Sequence, residues 1–280
     1  MGALKSVEGG TAVGEVVTET LGPDNVARKH LAGVSYEELT LQCGADINKT
    51  FLEWVKTFIA GGEITRKDGA ILFADFNSKL QTRLDFQQAL ITEVAFPACD
   101  AANKDAGFLT VKLAPELTVR QKGRGEAVKV ATESAQKRWL PSNFRLTIPG
   151  LDTSKVSQIH ASRIKRTITE EDIGDLRDPS ALEGLIGAPN LGVTLAETGA
   201  DTWHAWLEDF VIEGNNDEGQ EKTGRLEFLT ANSQAALFTL NFHNLGIYAL
   251  RPPPSEASSD AIARVKADLY CERMEFGYPT

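Results

Sequence analysis

The hydrophobic pattern is clearest across residues 36–62, YEELTLQCGADINKTFLEWVKTFIAGG. Leu39 and Leu41 alternate with Thr40 and Gln42, the period of a strand with one buried face. Cys43-Gly44 breaks the alternation, and Asp46 is placed to cap a helix by accepting a backbone N–H bond. Beyond it Ile47, Phe51, Trp54, Val55, Phe58 and Ile59 recur at helical spacing and form one apolar stripe. Gly61-Gly62 ends the helix, because glycine enters the left-handed cap conformation without a Cβ clash.

Strand patterns flank this unit. Residues 1–10 read as an arm or a first short strand, and residues 12–20 as a strand with Val13 and Val17 opposite Val16. Gly22-Pro23-Asp24-Asn25 is a turn cluster. After the helix, residues 70–76 form a strand, Asn77-Ser78-Lys79 a polar turn, and a long strand carries Leu84, Phe86 and Leu90 up to the stop at Pro97. Residues 98–107 are a loop and 108–113 a closing strand. Arg120, Lys122, Arg124, Lys129, Lys137 and Arg138 then make a basic segment with few large apolar residues, read as a solvated linker or a contact for an acidic neighbour.

A second unit starts at Asn143. Phe144, Leu146 and Ile148 alternate, VSQIHASRIKRTI reads as one further strand, and residues 170–178 form an acidic loop. Residues 191–196 are a strand, and Asp201 is placed to cap a helix with Trp203, Trp206, Leu207, Phe210 and Val211 on its apolar face. Gly214 ends it. A hairpin turning at 231–233 and a Pro-rich loop after Arg251 lead to the last strand, 262–276.

The two units share an order of markers. Trp54 matches Trp206, Gly61 or Gly62 matches Gly214, and Lys67-Asp68-Gly69 matches Lys222-Thr223-Gly224. Asn77-Ser78-Lys79 matches Asn232-Ser233-Gln234, and Leu84-Asp85-Phe86 matches Leu240-Asn241-Phe242. The expected fold is mainly β (α+β): two tandem antiparallel sheets, each with one flanking helix, over residues 1–117 and 143–280, joined by a linker over 118–142. The expected core is Phe51, Trp54, Phe58 and Phe86 in the first domain, and Trp203, Trp206, Phe210 and Phe242 in the second.

Over residues 12–116 the chain resembles the inner tail-tube protein of contractile phage tails and related injection systems. The residues that carry the resemblance are 36–41 (YEELTL), Gly44, Phe51, Trp54, Arg66, Asp75, Phe86, Ala89, Pro97, Asp100 and 109–113. Residues 143–278 look like a divergent copy with its leading strand at 144–148. The resemblance implies a small β-barrel or sandwich with one helix, whose units join edge to edge into six-fold rings that stack into a hollow tube. It also implies a homo-oligomeric ring, as a trimer with six domains or a hexamer, beside tube, sheath or baseplate proteins of a virion tail or injection particle. Two departures point to a specialised ring at a tube end or baseplate junction. The chain has two domains, and its first half lacks a Phe-x-Leu-x-Ile leading strand and a long hairpin at Gly22 to Asn25.

Composition narrows the chemistry. A net charge of −10 opposes sequence-specific nucleic-acid binding, which needs a basic excess to neutralise phosphates. No apolar run approaches the roughly 20 residues that span a bilayer. Met1-Gly2 with Ser6 only brushes the myristoylation pattern, and no polybasic cluster follows. Direct membrane anchoring is therefore not expected.

Cys43, Cys99 and Cys271 lie far apart in apolar strands and read as buried free thiols of a protein made in the cytoplasm. His30, His160, His204 and His243 have no motif partner, and the acidic loop lacks EF-hand spacing. No catalytic, cofactor or metal residue is assigned, and no enzyme is expected. The other reading of the same pattern is a ligand-binding β-protein that shares the fold without assembling.

Overall fold

The computed structural model describes residues 2, 4–19, 26–128, 139–171, 180–232, 234–252 and 263–279, with only the backbone for 168–171 and 180–185. Most of the acidic loop, Lys129, Lys137, Arg138, Ser233, Pro253 and Pro254 lie outside the described residues.

The first half runs β1 (Leu4–Glu8), β2 (Ala12–Glu19), β3 (Arg28–Tyr36), β4 (Leu39–Cys43), α1 (Lys49–Ile59), β5 (Lys67–Ala74), β6 (Leu80–Phe96), β7 (Cys99–Asp100), β8 (Leu109–Ala114) and β9 (Leu117–Lys122). The second runs β10 (Phe144–Thr147), β11 (Val156–Ile159), β12 (Ser162–Glu171), β13 (Ser180–Gly187), β14 (Leu191–Ala196), α2 (Asp201–Leu207), β15 (Lys222–Leu229), β16 (Ala236–Arg251) and β17 (Arg264–Gly277). One sheet has the order β1-β4-β8-β6-β12-β13, with β5 and β9 also on β6, and another the order β10-β15-β16-β17-β14-β11-β7. β2 and β3 pair only with each other among the described residues.

Strand pairing repeats between the halves residue by residue. A spacing of 152 residues relates Leu4 to Val156, Leu39 to Leu191 and Trp54 to Trp206. The register shift between Leu4 and Ser6 where β1 meets β4 recurs between Val156 and Gln158 where β11 meets β14. The β2–β3 hairpin shifts between Gly14 and Val16, and β12–β13 between Arg166 and Ile168, at the same spacing. After the helices the spacing becomes 156: Phe86 matches Phe242, and the bulge after Ile91 matches that after Ile247. Gln88 and Asn244, at the same spacing, both hold positive φ, 49° and 56°. A bulge bends a strand and raises its twist, so these positions fix where each long strand turns.

Several elements differ from the sequence expectation. The leading strand of the first half is β1, and its match in the second half is β11. The strand at 144–147 instead pairs with β15, on the opposite edge of its sheet. Residues 12–19 pair with residues 28–36, the turn cluster expected at Gly22 to Asn25 lies outside the described residues, and the run read as one strand at 156–168 is two, β11 and β12. Residues 118–122, expected as linker, continue from Leu117 as β9, whose backbone pairs with β6 from Gln87 to Thr82.

Asn48, not Asp46, caps α1: its side-chain oxygen accepts the Phe51 N–H at 3.0 Å, since the helix starts at Lys49. Asp201 lies inside α2, whose start is satisfied by a preceding 3-10 turn and not by a side-chain cap. A π-helical stretch, Glu208–Ile212, extends α2.

The eight aromatic residues of the expected core are all buried. Trp54 stands edge-on to Phe51 at 5.9 Å and donates its indole N–H to the Thr65 carbonyl at 2.8 Å. Trp206 lies 5.9 Å from Phe210 and 6.5 Å from Trp203. Lys67 sits over Trp54 and Lys222 over Trp206, at 5.9 and 5.3 Å, so each helix is pinned by the same cation–π contact. Gly69 keeps β5 close to β6: a Cβ there would fall 2.4 Å from Phe86 Cζ.

Truncating a buried aromatic removes its transfer free energy and leaves a cavity. Trp54→Ala and Trp206→Ala are each expected to lower the unfolding free energy by about 3–5 kcal/mol, read from denaturant melts. Unchanged midpoints would contradict the burial of these rings.

Candidate assembly interface

The two halves meet by exchanging strands. Ser162, Ile164 and Arg166 on β12 point inward and are buried, while Arg163 and Lys165 alternate outward. This face pairs antiparallel with the end of β6, matching Ser162 to Phe96, Arg163 to Ala95, Ile164 to Val94 and Lys165 to Glu93. The Glu93 carboxylate is buried and faces three cations: Lys165 at 3.3 Å, and Lys112 and Arg163 at 3.7 Å. In return β7 of the first half adds to β11 of the second, matching Asp100 to Gln158 and Cys99 to Ile159. Gln158 Nε2 donates to Asp100 Oδ2 at 2.9 Å.

Aromatic packing continues the junction. Phe96 at the end of β6 stacks on Phe228 at 5.8 Å and meets Phe276 at 5.6 Å, both in the second half. Trp139, arriving from the connecting segment, stands edge-on to Phe228 and Phe238 at 5.1 and 5.3 Å. The end of α1 is covered as well. Ile59 is buried beside Ile164, Ile186, Ala188 and Met274 around a cavity of about 140 Å³. The Arg166 guanidinium lies 5.3 Å over Phe58, and the Tyr278 hydroxyl donates to the Glu53 carboxylate.

The outward faces of the repeat lack this cover. Val13, Val16 and Leu31 on the β2–β3 hairpin are 43%, 58% and 65% exposed. Val211 and Ile212, which follow the Ile59 position by the repeat, are 42% and 66% exposed. Sequence reading placed Val13 and Val16 on a strand and Val211 on a buried helix face without assigning them to a contact, and missed Leu31, Ile212 and the pairing of β12 with β6. The missing signal was the constant 152-residue spacing, which extends upstream of the tryptophans and aligns the two hairpins.

Residues 1–117 match the family model described as T4-like virus tail tube protein gp19. The match covers less than half of the chain and ends before the connecting segment. No curated protein matches the chain. Among solved structures, it is similar to a chain of the cap that terminates the tube of the anti-feeding prophage, at 19% identity and TM-score 0.42, over 55% of this chain and 100% of that one. It is also similar to a chain of the sheath–tube complex of an extracellular contractile injection system (PVC), at 18% identity and TM-score 0.41, over 54% of this chain and 95% of that one. These are distant likenesses.

The groups considered for chemistry are dispersed. His30 faces Glu19 at 3.9 Å, His204 faces Glu197 at 3.4 Å, and His243 faces Glu275 at 3.5 Å. Among the described residues no three His, Cys, Asp or Glu side chains converge as a metal site. A surface groove of about 550 Å³ beside β10, β15 and β16 is lined by Arg145, Arg225, Glu227 and His243, with Glu227 already paired to both arginines.

Cys43, Cys99 and Cys271 are free and buried. Burial pushes the Cys43 and Cys99 thiols up to about 12 and that of Cys271 up to about 11, from an ordinary 9.0. Buried protonated thiols are inert as nucleophiles.

Two outcomes follow from this geometry. Ile164→Ala, at the centre of the junction, is expected to cost about 2–5 kcal/mol in denaturant unfolding. The cysteines are expected to resist thiol reagents in the native protein at pH 8 and to titrate on denaturation. Above pH 9 the unfolded chain releases thiol protons that the folded chain keeps, so stability falls as pH rises from about 9 toward 12. Cys43→Ala should make that decline shallower in melts recorded across the range.

Proposed function

We propose that this chain is a structural protein of a contractile phage-like tail or injection particle, in which two tail-tube-like domains are fused in tandem. The observation that carries the reading is the in-chain junction between β6 and β12, read together with the repeated strand registers. A hairpin of one half completes the sheet of the other, as two neighbouring subunits of an edge-to-edge ring would do. The tail-tube match over residues 1–117 supports the same assignment.

The fused pair takes the place of two successive single-domain subunits. Six-fold rings, as the family resemblance implies, would then hold three chains, and a trimer with six domains suits a ring at a tube end or a baseplate junction. Neighbouring tube, sheath or baseplate proteins are the partners of such a ring. The role is scaffolding, not catalytic.

Light scattering coupled to size exclusion tests this. A particle of three times the 30.4 kDa chain mass is expected, with a hollow ring in negative-stain images. Six chains per ring would refute the trimer and favour a hexamer in which one domain thickens the wall. A stable monomer at all concentrations would refute assembly and favour the ligand-binding alternative.

A further inference from the structure

We propose that the β2–β3 hairpin of one chain adds to the open end of β16 in a second copy, joining chains head to tail through the pairing that already joins the halves of one chain. The proposal rests on the tandem reading above and goes further, because it assigns the strands, the register and the covered residues.

Both surfaces of the contact are present, and among the described residues neither is paired. β15 reaches only Leu245 on one side of β16, while β17 occupies the other side as far as Arg251. Among the described residues, nothing pairs with the first side beyond Leu245. The matching end of β6 is the one that receives β12. The β2–β3 hairpin, which matches β12–β13 down to its bulge, stands alone, and a two-stranded ribbon on its own is marginal in water. An open strand end and a free hairpin of the same chain are complementary by construction, since their matched counterparts are already docked.

The repeat gives the register. Lys165 opposite Glu93 becomes Val13 opposite Ala249, Ile164 opposite Val94 becomes Ala12 opposite Leu250, and Arg163 opposite Ala95 becomes Thr11 opposite Arg251. Side-chain burial agrees. Val94 is fully buried under β12, whereas Leu250 is only half-buried in the single chain.

The helix end agrees independently. Ile59 is covered by Ile164, Ile186 and Ala188, so Val211 would be covered by the matching Ala12, Val34 and Tyr36 of the second copy. That contact removes Val211 and Ile212 from water along with the hairpin valines. Ala249, Val13 and Thr11 stand where Glu93, Lys165 and Arg163 stand, while Asp268, at the position of Lys112, pairs with Arg251 and Lys266 inside the chain.

A disulfide trap tests the register. In the chain Lys165 and Glu93 are directly opposed across the strand pair, so cysteines at the matching positions should meet. The double variant Val13→Cys with Ala249→Cys is expected to form disulfides between chains on mild oxidation, seen as a reducible series on non-reducing gels. Ala12→Cys with Ala249→Cys, one residue out of register, points one thiol to the other face and should not. All three positions are on or near the surface, and the native cysteines are buried.

Rings that assemble in light scattering while Val13→Cys with Ala249→Cys gives no interchain disulfide would overturn this junction and leave the tail-tube reading intact. Efficient trapping of open chains that never close would support the junction and overturn the ring. Equal trapping by the out-of-register pair would overturn the register, and with it the proposal.

Discussion

A strand edge that is buried must be paired, because an unpaired backbone N–H or C=O away from water costs as much as a lost hydrogen bond. The end of β6 is such an edge. Its residues Glu93, Val94 and Phe96 are buried, and the first half supplies only β8 on one side of them. The partner on the other side comes from β12, some seventy residues further along the chain. Once that pairing forms, Phe96 is carried onto Phe228 and Phe276, Arg166 onto Phe58, and the end of α1 is covered. The apolar core then runs through both halves without interruption. The family match ends at residue 117, but the sheet it describes does not.

Local features were legible in the sequence, and distant ones were not. The apolar stripe from Phe51 to Ile59 announces α1, and the spacing of Trp54 and Trp206 announces the repeat, because both depend on neighbours within a few turns or on simple order. The choice of Asn48 over Asp46 as cap depended on where the first helical turn begins, and both side chains are good caps. β9 was hidden by its charges: Arg120 and Lys122 point to solvent from an outer strand, and in sequence they look like a linker. The pairing of β12 with β6 was not readable from period alone. A strand with Ile164 on its inner face declares that it will be covered, and not by which edge.

The repeated registers also divide positions that recur from positions that differ. Bulges, the positive-φ residues Gln88 and Asn244, the lysines over the tryptophans and the glycines at the helix ends recur, because each fixes the path of the backbone. Residues at the junctions diverge. Arg166 stands where Gly14 stands, and Glu93 where Ala249 stands. The docked hairpin carries Arg163, Lys165 and the buried Arg166 where the other hairpin carries Thr11, Val13 and Gly14.

Covalent connection of the halves also sets an order of events. A contact between parts of one chain forms at the effective concentration that the connecting segment imposes, on the order of millimolar for short flexible links, however dilute the protein is. The β6–β12 contact is therefore complete before any two chains meet, and its translational entropy cost falls on folding. A closed assembly of six domains built from single-domain subunits has six contacts to form by collision, and one built from fused pairs has half as many. Nucleation, the concentration-dependent step, becomes correspondingly less steep. A particle that needs one such ring in each copy, at a defined place and in few molecules, gains most from that arrangement.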